Sequence, residues 1–110
     1  MEHDVVILVS DFSTYPSGRN DRDGPDNGER FRKTVLLPAI KAALKSGSRV
    51  VVSLANVMSF GSSFLEEAFA GLVRHESVGK ADLKRVLHLE PGAAVNERYK
   101  DAILRYIDRV

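Results

Sequence analysis

Two stretches of the chain carry side chains that could do chemistry. Between Phe60 and Leu65 stand Gly61, Ser62 and Ser63. Two hydroxyls behind a residue without a Cβ, at the opening of an expected helix, suit three roles. They can cap the helix, admit a close backbone or ligand, or face an anion where free amides and the macrodipole favour one. The second stretch, Pro16 to Lys33, carries Arg19, Arg22, Arg30, Arg32 and Lys33 beside Asp21, Asp23, Asp26 and Glu29. The planar fork of arginine suits carboxylate or phosphate. Arg19, Arg30 and Arg32 are therefore expected to converge on one anionic or partner site. The neighbouring aspartates offer the alternative of a solvated, self-neutralising loop.

Other chemistries find no residues to carry them. The three histidines, His3, His75 and His88, lie far apart, and none pairs with a carboxylate at metal-ligand spacing. His88 sits between Leu87 and Leu89 in an apparent strand and should project to the face opposite those leucines. The chain has no cysteine, which excludes thiol catalysis, zinc–thiolate sites and iron–sulfur clusters. It has no GxGxxG, no Walker A and no HExxH pattern. Serines are plentiful, but no base can be assigned to one, as nucleophilic catalysis would need. The expectation is a protein that is not an enzyme and needs no metal or cofactor. Lys and Arg number 16 against 15 for Asp and Glu, so bulk charge gives no reason to expect nucleic acid as a partner. No apolar run approaches the roughly 20 residues of a membrane helix. The opening Met1-Glu2-His3-Asp4 lacks the basic region of a secretory leader, and a cytoplasmic location is expected.

These residues need elements to position them. With 110 residues the chain is expected to form one domain, 1–110. Asp4 to Ser10 reads DVVILVS and Arg49 to Leu54 reads RVVVSL. Both look like strands buried on two faces, so Val5–Val9 and Val50–Leu54 should be adjacent and central in a parallel sheet. Residues 11–28 hold three glycines and two prolines and read as a long loop or irregular hairpin with room for a short extra strand. A helix should start near Asp26, with a capping box at Asp26 and Glu29 or a cap at Asn27. Pro38 should kink or restart it, and Gly47 should end it. Ser63 and Glu66 have capping-box spacing before a second helix bearing Phe64, Phe69 and Leu72. Arg85 to Glu90 reads as a third strand. From about Asn96 a last helix buries Tyr99, Ile103, Tyr106 and Ile107 at period 3.6. The alternation indicates an α/β domain with a mainly parallel or mixed sheet of about four strands and helices on one face.

Several segments together carry a resemblance. They are Pro16-Ser17-Gly18-Arg19, Asn27-Gly28-Glu29-Arg30-Phe31-Arg32, Leu37-Pro38 and, most distinctively, Ser62-Ser63-Phe64-Leu65-Glu66-Glu67-Ala68-Phe69. The chain resembles the STAS-like domain family of unknown function, related to the STAS domains of anti-sigma-factor antagonists. In those antagonists a serine at the start of the corresponding helix is phosphorylated by a partner kinase, which controls partner binding. The resemblance implies Ser62 as the phosphoacceptor, with Ser63 adjacent. Gly61 stands where those antagonists usually carry Asp, and Phe64 where they usually carry Gly. It also implies a protein partner, an ATPase or kinase of histidine-kinase-like fold. The expected function is a non-catalytic regulatory or protein-interaction module, meeting its partner through Gly61–Ser63 and the arginine-bearing loop. The alternative is a small-molecule or nucleotide-binding domain that holds an anion on the same groups.

Overall fold

The computed structural model describes residues 4–110, and His3 lies outside them. Strands β1 (Val5–Leu8), β2 (Val50–Ser53) and β3 (Leu87–Glu90) form one parallel sheet in the order β1-β2-β3. The described residues thus give three strands, where about four were expected. The long first loop adds none. α1 (Val9–Phe12) leads into it, ending the first strand one residue before the expected Val9; the loop then makes a 3-10 turn (Asp21–Asp23) and closes back on the next helix. The Gly28 and Glu29 amides donate to the Gly18 and Arg19 carbonyls, both at 2.9 Å.

The register places Ile7 beside Val52, and Val52 beside Leu89. All three are buried, whereas on the opposite face Val6 is 63% and Leu8 45% exposed. The helices therefore cover one face, as expected. β1 and β2 are adjacent, also as expected, but only β2 is central. β1 is an edge strand buried on one side. A run of five aliphatics reads as a strand enclosed on both faces, yet composition cannot say which face the rest of the chain will cover.

α2 (Gly28–Phe31) begins at Asn27, whose Oδ1 accepts the Arg30 amide at 2.9 Å. Asn27 takes the cap rather than Asp26. The rod continues through a π turn (Arg32–Leu36) into α3 (Leu37–Ser46) and ends at Gly47. The expected kink or restart at Pro38 takes this form: the proline follows the π turn directly, at the point where the rod returns to α geometry. A second rod has the same plan, with α4 (Ser62–Leu65), a π turn (Glu66–Ala70) and α5 (Gly71–Glu76). α6 (Lys80–Val86) passes directly into β3, shortening the strand expected from Arg85. α7 (Glu97–Arg109) closes the layer. Just before it, buried Asn96 donates from Nδ2 to the carbonyls of Leu54 (3.2 Å) and Pro91 (2.9 Å), tying the start of α7 to the ends of β2 and β3.

The core lies between this helical layer and the covered sheet face. Phe31, Phe64, Phe69, Leu72 and Ile103 are fully buried, while Tyr106 is only half-buried at the rim. Phe31 meets Phe12, Phe64 and Phe69 at ring-centroid distances of 5.1, 5.5 and 6.4 Å. These are tilted contacts within the favourable range for aromatic pairs.

Candidate functional site

Arg32 is the first residue of the π turn in the first rod, and its side chain is 2% exposed. Its Nη1 donates to the Glu67 carbonyl (2.6 Å) and to Glu67 Oε2 (2.8 Å), and its Nε donates to Glu76 Oε2 (2.9 Å). Glu67 lies in the π turn of the second rod, so the two departures from α geometry face each other across one guanidinium. Buried Gly71 makes room for it: a Cβ there would fall inside the Arg32 guanidinium.

Arg19 reaches the same carboxylates from the long loop, donating to Glu66 Oε1 (2.6 Å) and Glu67 Oε1 (3.2 Å). Arg74 completes the cluster with a two-pronged contact to Glu66 at 2.8 and 2.9 Å. Hydrogen bonds from Arg74 and Arg19 hold the Glu66 carboxyl at a pKa of about 2, against the opposing effect of burial. Burial pushes Glu67 up, but the hydrogen bonds from Arg32 and Arg19 outweigh it and leave its pKa lowered. Arg30 is not part of this cluster. It turns to Asp21 (3.3 Å) on the surface. Of the three arginines expected to converge, two do, and the anion they meet is Glu67 of this chain. Asp23 instead accepts the Arg19 amide (2.8 Å), and Asp26 accepts the Ser13 hydroxyl (2.7 Å).

The helix start is built differently from its sequence pattern. The N-cap is Gly61, and no side-chain cap bond is made. The Ser63–Glu66 capping box does not form, because the helix already starts at Ser62 and Ser63 lies inside its first turn; Glu66 meets Arg19 and Arg74 instead. Gly61 admits a backbone, as its lack of a Cβ allowed. Its amide donates to the Pro16 carbonyl (3.0 Å), and a Cβ would stand 3.2 Å from Ser17 Cα. Ser62 is exposed and Ser63 half-buried. Ser62 opens onto a groove of about 460 Å³ lined by Phe60, Leu65, Arg98, Tyr99, Ala102, Arg105 and Tyr106.

A family model described as a STAS-like domain of unknown function matches residues 27–90, more than half of the chain. The chain belongs to that family. The matched stretch of this STAS-like domain holds both rods, the Arg32–Glu67–Glu76 contacts and the Gly61–Ser63 helix start, whereas Arg19, β1 and α7 lie outside it. Comparison with curated proteins and with solved structures gave no match.

Sequence reasoning missed the groove. Its signal was present as a repeated pair, Arg98-Tyr99 and Arg105-Tyr106, seven residues apart on the last helix. Spacing of seven keeps both pairs on one helix face. His88 projects to the open sheet face, as expected, and its Nε2 lies 2.6 Å from Glu90 Oε2. Among the described residues no group of three His, Cys, Asp or Glu could hold a metal ion, and no helix is long and apolar enough to cross a membrane.

Proposed function

We propose that this STAS-like domain is a non-catalytic regulatory or protein-interaction module. Its partner docks around the Gly61–Ser63 helix start, and phosphorylation of Ser62 by a partner ATPase of histidine-kinase-like fold controls that docking. The observation that carries the reading is the state of Ser62, which is exposed at the first turn of a rod it does not cap. Its hydroxyl is therefore free for transfer. A second observation supports it. Glu66 and Glu67, which would repel a phosphate in the first turn, are neutralised by Arg19, Arg32 and Arg74. Arg30 and Arg32 are given no partner-binding role, since both are occupied within the chain.

A phosphate adds about −1.5 to −2 charges and three acceptor oxygens. At an exposed helix end the dipole contribution is only about 0.3–1 kcal/mol, so fold stability should change little. An interface that desolvates the site would respond far more. Ser62→Asp should weaken partner binding with the unfolding midpoint nearly fixed, and Ser62→Ala should retain binding. The test incubates the protein with a purified ATPase of histidine-kinase-like fold and ATP, then reads intact mass and binding by calorimetry. A phosphoryl gain at Ser62 that lowers affinity supports the reading. Equal binding by wild type, Ser62→Asp and Ser62→Ala would exclude it.

The alternative of a small-anion or nucleotide-binding domain draws on a different observation, the arginines of the groove beside Ser62.

A further inference from the structure

The arginines of this domain fall into two sets. Arg19, Arg30, Arg32, Arg49, Arg74 and Arg85 each have a carboxylate within salt-bridge distance. Among the described residues Arg22, Arg98, Arg105 and Arg109 have none, and of these Arg98 and Arg105 line the groove beside Ser62. A counter-charge was within reach, because Asp101 stands three residues after Arg98 and four before Arg105 on α7. Those are the spacings at which helical ion pairs form, but no such pair is made. Arg98 is instead held against its neighbour, with its guanidinium 4.7 Å from the Tyr99 ring centroid and a bond to the Tyr99 hydroxyl at 2.9 Å.

Between the two arginines α7 lines the groove with Tyr99 and with Ala102, which is four after Arg98 and three before Arg105. At about 1.5 Å rise per residue the two Cα atoms are roughly 10 Å apart along the helix. Arginine side chains are long enough to close on one group from both ends of such a gap, and the alanine methyl leaves the space between them open. Phe60 and Leu65 add apolar lining, with the Phe60 ring 4.9 Å from that of half-buried Tyr99, and half-buried Tyr106 completes it. An apolar groove with a few convergent polar groups is the usual form of a small-ligand site. Two forked cations are the usual means of holding a phosphate.

We propose that the groove between α7 and the Ser62 turn is a receptor for a phosphomonoester dianion, clamped by Arg98 and Arg105 over Ala102. The phosphate has two sources of the same chemistry. One is a free phosphate ester such as a mononucleotide, and the other is the phosphate carried by Ser62 itself. Only the second rests on the phosphoacceptor reading above.

The first arm of the test titrates the unmodified protein with inorganic phosphate and with AMP, read by amide NMR. Shifts confined to residues 60–65 and 98–106 are expected. Arg98→Gln/Arg105→Gln should lose at least tenfold in affinity, and Arg85→Gln should not. Ala102→Leu, which fills the gap without altering charge, should lose as much. The second arm installs phosphoserine at position 62 by genetic encoding and follows its phosphorus resonance against pH. Its second ionisation should fall by half a unit or more below that of a free phosphoserine peptide, and should return to the peptide value in the double arginine variant. Saturation in the first arm assigns a free ligand. A response in the second arm alone assigns the tethered phosphate and leaves the clamp intact. Shifts spread over all exposed cations in the first arm, together with an ordinary ionisation in the second, overturn the proposal. Failure of the clamp with Ser62→Asp still releasing the partner would leave the docking reading standing.

Discussion

Arg32 joins the two rods through three bonds, two on Glu67 and one on Glu76. Removing one member of a buried ion pair leaves the other charges without compensation and costs about 3–5 kcal/mol. Arg32→Ala should therefore lower stability by that order in a urea titration. Gly71→Ala should be destabilising for the same reason from the other side, since its methyl would displace the guanidinium. Recovery of much of that loss in Gly71→Ala/Arg32→Ala would show the coupling, whereas simple additivity would contradict it. Glu66 contributes a pH dependence of its own. Its pKa falls from 4.5 unfolded to about 2 folded, so the stability it contributes is present above about pH 4.5 and is lost as pH falls toward 2. Glu66→Gln should be less stable than wild type at pH 6, and the gap should narrow steadily between pH 5 and pH 2. A gap independent of pH would assign the loss to packing. Part of this cluster was legible in the sequence, where Arg19 and Arg32 stand in one loop-and-helix segment. The anion they meet was not, because Glu67 is 35 residues beyond Arg32 and the contact needs both rods to be assembled.

At the scale of elements, the two π turns are what the heptad-like stripes could not show. Phe64, Phe69 and Leu72 read as the stripe of one helix, and all three are buried. Apolar spacing survives a single wide turn, because the change in repeat shifts later residues by only one position. The capping box at Ser63 and Glu66 failed because the N-cap falls two residues earlier, at Gly61, which leaves Ser63 inside the first turn. Glu66 is then free to make charge-assisted bonds to two arginines. α6 was missed because Lys80–Val86 has room for barely two turns, and only Leu83 and Val86 are buried in it. The stripe assignment itself makes a prediction. Phe69 is fully buried inside the second π turn, and Phe69→Ala should cost about 3–5 kcal/mol, the range for removing a buried ring. The check is the denaturant midpoint at unchanged m-value. An unaltered midpoint would mean that the aromatic cluster does not hold the rods together.

At the scale of the whole molecule, the helical layer covers one face of a three-stranded sheet and leaves the other open. Val6 and Leu8 on β1, Val51 and Ser53 on β2, and His88 and Glu90 on β3 share the uncovered side. The two faces make opposite predictions for the same substitution on neighbouring strands. Val52 is fully buried, and a lysine there would place an unpaired charge in the core, which a domain of ordinary stability cannot sustain. Val6 is 63% exposed, and its substitution removes little buried area. Val6→Lys should then change stability by no more than about 0.5 kcal/mol, as surface changes usually do. Because β1 is also an edge strand of the sheet, the added charge should oppose edge-to-edge pairing. Thermal unfolding over a tenfold range of concentration, with sedimentation at both ends, measures both effects. The expected result is Val52→Lys unfolded by circular dichroism, and Val6→Lys folded with a midpoint that does not depend on concentration. A loss for Val6→Lys comparable to that for Val52→Lys would show that the face is covered in solution. The two consecutive aliphatic strands would then be enclosed on both sides, as their composition alone suggests.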